Sequence, residues 1–254
     1  METLTLKEWD KYKNLLAKCS KQAEDEFLET VLSGKLGGVG YGNIPKDVII
    51  DYAYGLVTKY GEASSAAACV FYDELAEASG VLLPAAVPAE TANIHEVAKA
   101  VNFTDNEEQI ASALSRLVKR AGQDTTLHNA IRDGAECAWI PSGDTCAFCI
   151  ALAGRGWQKA SPDALKNGHA EHIHSNCDCM YAVRFNENTR YGGYDPTVYK
   201  RQYDAAEGRT SAQKINAMRR EYYAENKEEI NAQKRDAYEK RKELNESWAE
   251  EHST

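Results

Sequence analysis

Cys146-Ala-Phe-Cys149, followed by His174-Ser-Asn-Cys177-Asp-Cys179, is the stretch that organises this chain. Two sulfurs spaced Cys-x-x-Cys can point at one metal, and the second stretch supplies an imidazole and two more sulfurs. Zinc takes four tetrahedral Cys/His ligands in structural sites, and two ligand pairs separated by a loop are its usual arrangement. Pro141, Ser142 and Gly143 favour a sharp turn into the first pair. Gly154 and Gly156 punctuate short segments beyond it, and Tyr181 to Phe185 alternates like a strand. A small α+β module over residues 137–190 can bury little core, so a metal staple makes physical sense there. One structural Zn2+ per chain is expected, with Cys146, Cys149, His174, Cys177 and Cys179 as candidate ligands. A redox Cys-x-x-Cys is disfavoured because no βαβ pattern surrounds the pair.

Zinc can take only four of these five groups. Cys146 and Cys149 are fixed by their spacing, and His174 and Cys177 lie three apart, within reach of a single turn. Cys179 starts the run Cys179, Tyr181, Val183, Phe185, whose members share one face of a strand. If Cys177 is also extended, its sulfur and that of Cys179 stand ~6–7 Å apart, whereas zinc needs its sulfurs nearer ~3.8 Å. The expected set is therefore Cys146, Cys149, His174 and Cys177, with Cys179 packed beside it; a bend at Asp178 would let Cys179 replace His174.

Upstream, residues 1–136 read as a helical domain. Thr5 and Glu8 form a capping box, and Trp9, Tyr12, Leu16, Cys19, Ala23 and Phe27 recur at helical spacing. Cys19 on that stripe reads as a small core residue. The glycines between Gly34 and Gly42 end this helix, and none precedes Lys-Ser or Lys-Thr, so no phosphate loop is expected. Pro45 opens a second helix through Val48, Ile49, Tyr52, Leu56 and Val57. Another, from about Gly61 to Ser79, is alanine-rich and apolar nearly all round, as a buried helix would be. Leu83 to Glu90, with Pro84 and Pro88, reads as a connector. Thr104 and Glu107 make a further capping box before Ile110, Leu114, Leu117 and Val118, and a shorter helix is expected from Thr126 to Glu136.

Downstream, residues 191–254 read as an extended, charged C-terminal helix. Arg220, Tyr223, Lys227 and Glu228 recur fifteen residues later as Arg235, Tyr238, Lys242 and Glu243. Ile215, Met218 and Tyr222, then Ile230, Ala237 and Leu244, make only a broken apolar stripe. Such a helix is marginal in water, so weak order alone is expected, with ordering on a partner or by self-association through this helix. The fold class is thus mostly α: a helical N-terminal domain, a zinc-stapled α+β module and an extended helix.

Composition bounds the function. The 254 residues are 43% apolar and 27% charged, enough to form a packed core. Thirty basic against 39 acidic residues give a net charge of −9, so direct DNA binding would need a local basic patch. From Lys200 onward 12 basic and 12 acidic residues balance, so the excess negative charge lies before it. No stretch approaches the ~20 apolar residues of a membrane span, and the N-terminus lacks the basic start and apolar run of a secretory signal. A soluble, non-exported chain is expected. Seven cysteines, an odd number, fit a reducing compartment.

Two enzymatic patterns match only in part. Zinc deaminases place His-x-Glu before Pro-Cys-x-x-Cys, but His169-Ala-Glu171 follows the Cys pair here, and Thr145 stands where proline would. Glu171-His172-Ile173-His174 superficially looks like an HNH-type nuclease strand, without that family's later Cys-x-x-Cys. His169 and His172 then read as solvated loop residues. No catalytic or cofactor-binding residue is assigned, and an HNH-like or other zinc-dependent nucleic-acid-processing enzyme is the alternative.

The chain resembles the MuF-like minor capsid (head morphogenesis) proteins of tailed phages, in the form found in phages of Gram-positive hosts. The resemblance rests on Tyr60-Gly61-Glu62-Ala63 with Ala68-Cys69-Val70-Phe71-Tyr72-Asp73, and on Asp133-Gly134 through Trp139, the Cys pair and Ala153-Gly154-Arg155-Gly156 to Trp157. His174-x-x-Cys177-Asp178-Cys179 completes it. The resemblance implies a structural protein, not an enzyme. It implies a place inside the capsid near the portal, in few copies, with portal or major capsid protein as partner. It also implies a role in head assembly or DNA delivery, and the bacterial host cytoplasm as the site of assembly.

Overall fold

The computed structural model describes residues 6–38, 41–142, 145–162 and 179–251. It is mostly helical with a small sheet, as the sequence implies. Three long helices, α1 (Leu6–Leu32), α2 (Lys46–Ala78) and α4 (Glu107–Asp133), pack on one another, with the short α3 (Ile94–Asn102) against α2 and α4. Strands β1 (Glu136–Ile140), β2 (Gln158–Lys159) and β3 (Met180–Arg184) form an antiparallel sheet in the order β2-β1-β3. The other α-helices among the described residues are α5 (Ala147–Ala153), α6 (Pro196–Ala205), α7 (Ser211–Glu225) and α8 (Lys227–Glu251). Residues up to Thr145 with Arg155–Pro196 form one compact unit, and Cys146–Gly154 with Thr197–Thr254 form another. Among the described residues no helix is long and apolar enough to cross a membrane.

In the first unit the α1 stripe behaves as its spacing requires. Trp9, Tyr12, Leu16, Ala23 and Phe27 are buried, and Cys19 is partly buried against the same core. Thr5 of the expected capping box lies outside the described residues. Tyr12 stacks on Phe71 of α2 (centroids 4.5 Å, 2° apart), and its hydroxyl reaches Thr126 Oγ1 of α4 at 2.9 Å. The three helices converge at Gly122, where an added Cβ would meet Leu16 of α1 and the Ser64 carbonyl of α2, both at 3.0 Å.

The helix boundaries differ from the local reading in instructive ways. The two expected helices after Pro45 are one 33-residue helix, α2, with Pro45 as its N-cap. Gly61 does not break it. A Cβ there would stand 2.8 Å from Thr91 Cγ2, so the glycine admits the connector that crosses α2 at that point. Nor is α2 buried all round: Ile49, Ala53, Leu56, Val57, Gly61, Ser64, Ser65, Ala68, Phe71, Tyr72, Leu75 and Ala76 face inward, while Val70 is 53% exposed. Helix α4 runs unbroken through Thr126 to Asp133 instead of restarting. Asn106, not Thr104, caps it, accepting from Gln109 N–H at 2.9 Å, while Thr104 Oγ1 takes the Asn106 N–H at 3.2 Å. Helix α3, which the sequence reading passed over, has its own capping box between Asn93 and Glu96.

Gly134 ends α4 in the left-handed region (φ 67°), and Ala135 N–H returns to the Ala130 carbonyl at 2.9 Å. The chain thereby reverses directly into β1. Register pairs Trp139 with Tyr181 and Cys137 with Val183, and both faces of β3 are covered from Met180 to Val183. The alternation from Tyr181 to Phe185 reads as a strand, and β3 lies there. Strand β1 is covered on both faces as well, whereas β2 is exposed; just beyond β3, Phe185 meets Tyr72 of α2 edge-on at 5.3 Å.

In the second unit the tail is helical as expected, divided into α6, α7 and α8. Thr210 and Gln213 form a capping box that starts α7, and Asn226 separates α7 from α8. Lys214 Nζ of α7 donates to the Tyr203 and Asp204 carbonyls at the end of α6, at 3.1 and 2.8 Å. None of the α6 side chains is buried, and Met218 is the buried side chain of α7.

Candidate metal centre

The Cys146-x-x-Cys149 spacing acquires a definite local form. Cys146 is the N-cap of α5 (φ −68°, ψ 157°), and its carbonyl accepts the Ile150 N–H at 3.0 Å. Cys149 occupies the third helical position and is 1% exposed. N-cap and third position are the two sites whose side chains reach each other's backbone in a capping box, so both sulfurs start from the same end of one helix. Two thiols so placed suit zinc, which binds thiolate sulfur readily and has no geometric preference beyond a tetrahedral shell. The donor chemistry fits the metal.

Cys179 immediately precedes β3 and is also 1% exposed. Its carbonyl accepts from Gln123 Nε2 of α4 at 3.3 Å, which ties the strand's entry to the helical bundle. Gln123, only 6% exposed on a buried helix face, is a positioning residue that the sequence reading missed. It sits in the polar run Gln123-Asp124-Thr125-Thr126, which carries no local sign of that contact. His174 and Cys177, together with His169, Glu171 and His172, lie outside the described residues. Among the described residues no group of three metal-capable side chains comes together.

The other cysteines stand apart. Cys137 is enclosed in β1, and burial pushes its thiol up to about 11, so it is protonated and inert at neutral pH. Burial also raises the Cys69 thiol, with Asp73 adding to the effect. Beside the sheet, Arg184 Nε donates to Glu136 Oε2 at 2.6 Å, and its guanidinium lies 4.7 Å over the Trp157 ring. This pair joins β1 to β3 and seats the Trp157 loop, and no spacing rule pointed to it.

At the root of the sheet, Asp133 accepts from Arg132 Nε and Nη2 at 2.8 and 2.7 Å and from the Tyr72 hydroxyl at 2.9 Å. Arg132 foremost, with Tyr72, holds the Asp133 carboxyl below its ordinary range against the opposing effect of burial. Burial, then the bond to Asp133, drives the Tyr72 phenol upward, so it remains a donor.

The fold and this site define a mostly helical protein with a cysteine-bearing module. The chain belongs to the VG15 protein family, a phage-associated family whose model matches residues 3–206. No curated protein and no solved structure matches it. The match spans the helical bundle, the sheet, the Cys pair and α6, and stops before α7.

Proposed function

We propose that this phage protein is a structural minor head protein that acts near the portal in head assembly or DNA delivery. One structural zinc is held by Cys146, Cys149 and two of His174, Cys177 and Cys179. The observation that carries the reading is the ordered Cys-x-x-Cys and His-x-x-Cys-x-Cys pattern, lying wholly inside the span matched by a phage protein family. The placement of Cys146 and Cys149 at one helix end supports the metal. When bound, the zinc supplies cross-linking: four protein ligands close its shell and leave no open position for substrate. Ligation of this kind contributes ~10–16 kcal/mol of apparent folding energy at neutral pH. The portal or the major capsid protein is the partner, inside the virion, after assembly in the host cytoplasm.

Two measurements test this. Elemental analysis of protein purified without added metal should return about one zinc per chain, and loss of zinc should open residues 137–190 to protease. Purified virions should contain the protein at the portal vertex by immunolabelling. Metal-dependent nicking of DNA that disappears in Glu171→Ala would favour the nuclease alternative instead.

A further inference from the structure

We propose that the helix carrying Cys146 and Cys149 is the anchor of the C-terminal tail, so that metal capture by this pair governs whether α6 and α7 are held in place. The proposal rests on the zinc reading above and adds a regulated element to it.

Helix α5 has seven residues, too few to persist alone, because helix nucleation is costly and little is gained by so short a run. Its inward side is Ala147, Cys149, Leu152 and Ala153. The unit it belongs to otherwise consists of tail, Thr197 onward. The tail has little core of its own: no α6 side chain is buried, and α7 buries Met218. Helix α5 packs against α7.

The contact with α6 is closer still. At Gly154, which ends α5, an added Cβ would meet the Lys200 nitrogen and Cα, both at 2.9 Å, and the Tyr199 carbonyl carbon at 3.2 Å. Backbone therefore lies on backbone, and the glycine is needed for space, since its own φ of −66° is ordinary. Two metal–thiolate bonds at the start of α5 would fix this helix; without them α6 and α7 lose a surface on which both rest. The exposed Tyr222 and Tyr223 of α7 would then be presented differently in the loaded and unloaded protein.

Hydrogen exchange read by mass spectrometry on the full-length protein, zinc-loaded and then chelated, tests the coupling. Peptides covering 197–225 should exchange faster by about tenfold or more after chelation, while α1, α2 and α4 hold their protection, and added zinc should restore the tail. Gly154→Val provides the second arm. It should keep its zinc by elemental analysis yet show fast tail exchange in the loaded state. Zinc-loaded protein whose tail exchanges equally before and after chelation overturns this inference and leaves the zinc reading standing. Protein that neither contains nor takes up zinc overturns both. If chelation also releases α1, α2 and α4, Gly154→Val decides: a tail as protected as wild type in that variant overturns the coupling.

Discussion

Asn129 of α4 grips the peptide of Val87 at both ends: its Oδ1 accepts the Val87 N–H at 2.9 Å, and its Nδ2 donates to the Val87 carbonyl at 2.8 Å. Val87 lies in the extended connector between α2 and α3, which has no ladder of its own. Neighbouring backbone groups are met the same way. Thr125 Oγ1 takes the Ala89 N–H, Asp73 takes the Ala86 N–H, and Arg132 donates to the Pro84 and Ala85 carbonyls. Side chains of two helices thus do for this segment what a partner strand would otherwise do.

Asn129→Ala should therefore destabilise the first unit by about 2–4 kcal/mol, since it strands a backbone donor and acceptor and leaves a small cavity. Urea denaturation measures this. Asn129→Asp should be no better at neutral pH, because a carboxylate accepts the Val87 N–H but cannot donate to its carbonyl. A midpoint unchanged in both variants would show that the connector is held by other means.

The glycines of α2 make a matched pair. Nothing stands within 4 Å of a Cβ at Gly55, so Gly55→Ala should stabilise the protein by about 0.5–1 kcal/mol through helix propensity. At Gly61 the Cβ would press on the stiff, β-branched Thr91, and the overpacking cost of about 1–3 kcal/mol should outweigh that gain. Opposite signs in thermal unfolding are the expected result.

The Asp133 carboxyl has a folded pKa below its ordinary value, so its contribution is fully present above the unfolded pKa of about 3.9 and is lost as pH falls through the folded value below it. Asp133→Asn should cost about 1–3 kcal/mol at pH 7, from charge-assisted bonds to Arg132 and Tyr72. The gap between variant and wild type should narrow below about pH 4. A gap that is constant from pH 7 to pH 3 would exclude the carboxylate as its source.

Among the candidate ligands, Cys177→Ser should lose or weaken zinc, whereas Cys179→Ser should keep it, because Cys179 leads into the extended β3 and two extended residues two apart hold their sulfurs too far apart for one metal. Zinc content of the two purified variants distinguishes them. The reverse pattern would exchange Cys179 into the ligand set without removing the site.

By itself the sequence determined the buried face of α1 and of the first half of α4. Trp9, Tyr12, Leu16, Ala23 and Phe27, like Ile110, Leu114, Leu117 and Val118, are inward because a 3.6-residue period admits one apolar stripe. The Cys146-x-x-Cys149 spacing is legible in the sequence too, and the zinc expectation rests on it. The tertiary structure decided what depends on residues distant in the chain. Gly61 reads locally as a break, yet it lies inside a continuous helix because the Thr91 connector needs its missing Cβ. Asn129 reads as an ordinary polar position until the Val87 peptide arrives from 42 residues away. Lys200 carries no local mark of its partner, and its approach to Gly154 is fixed by close packing of backbones that no period encodes.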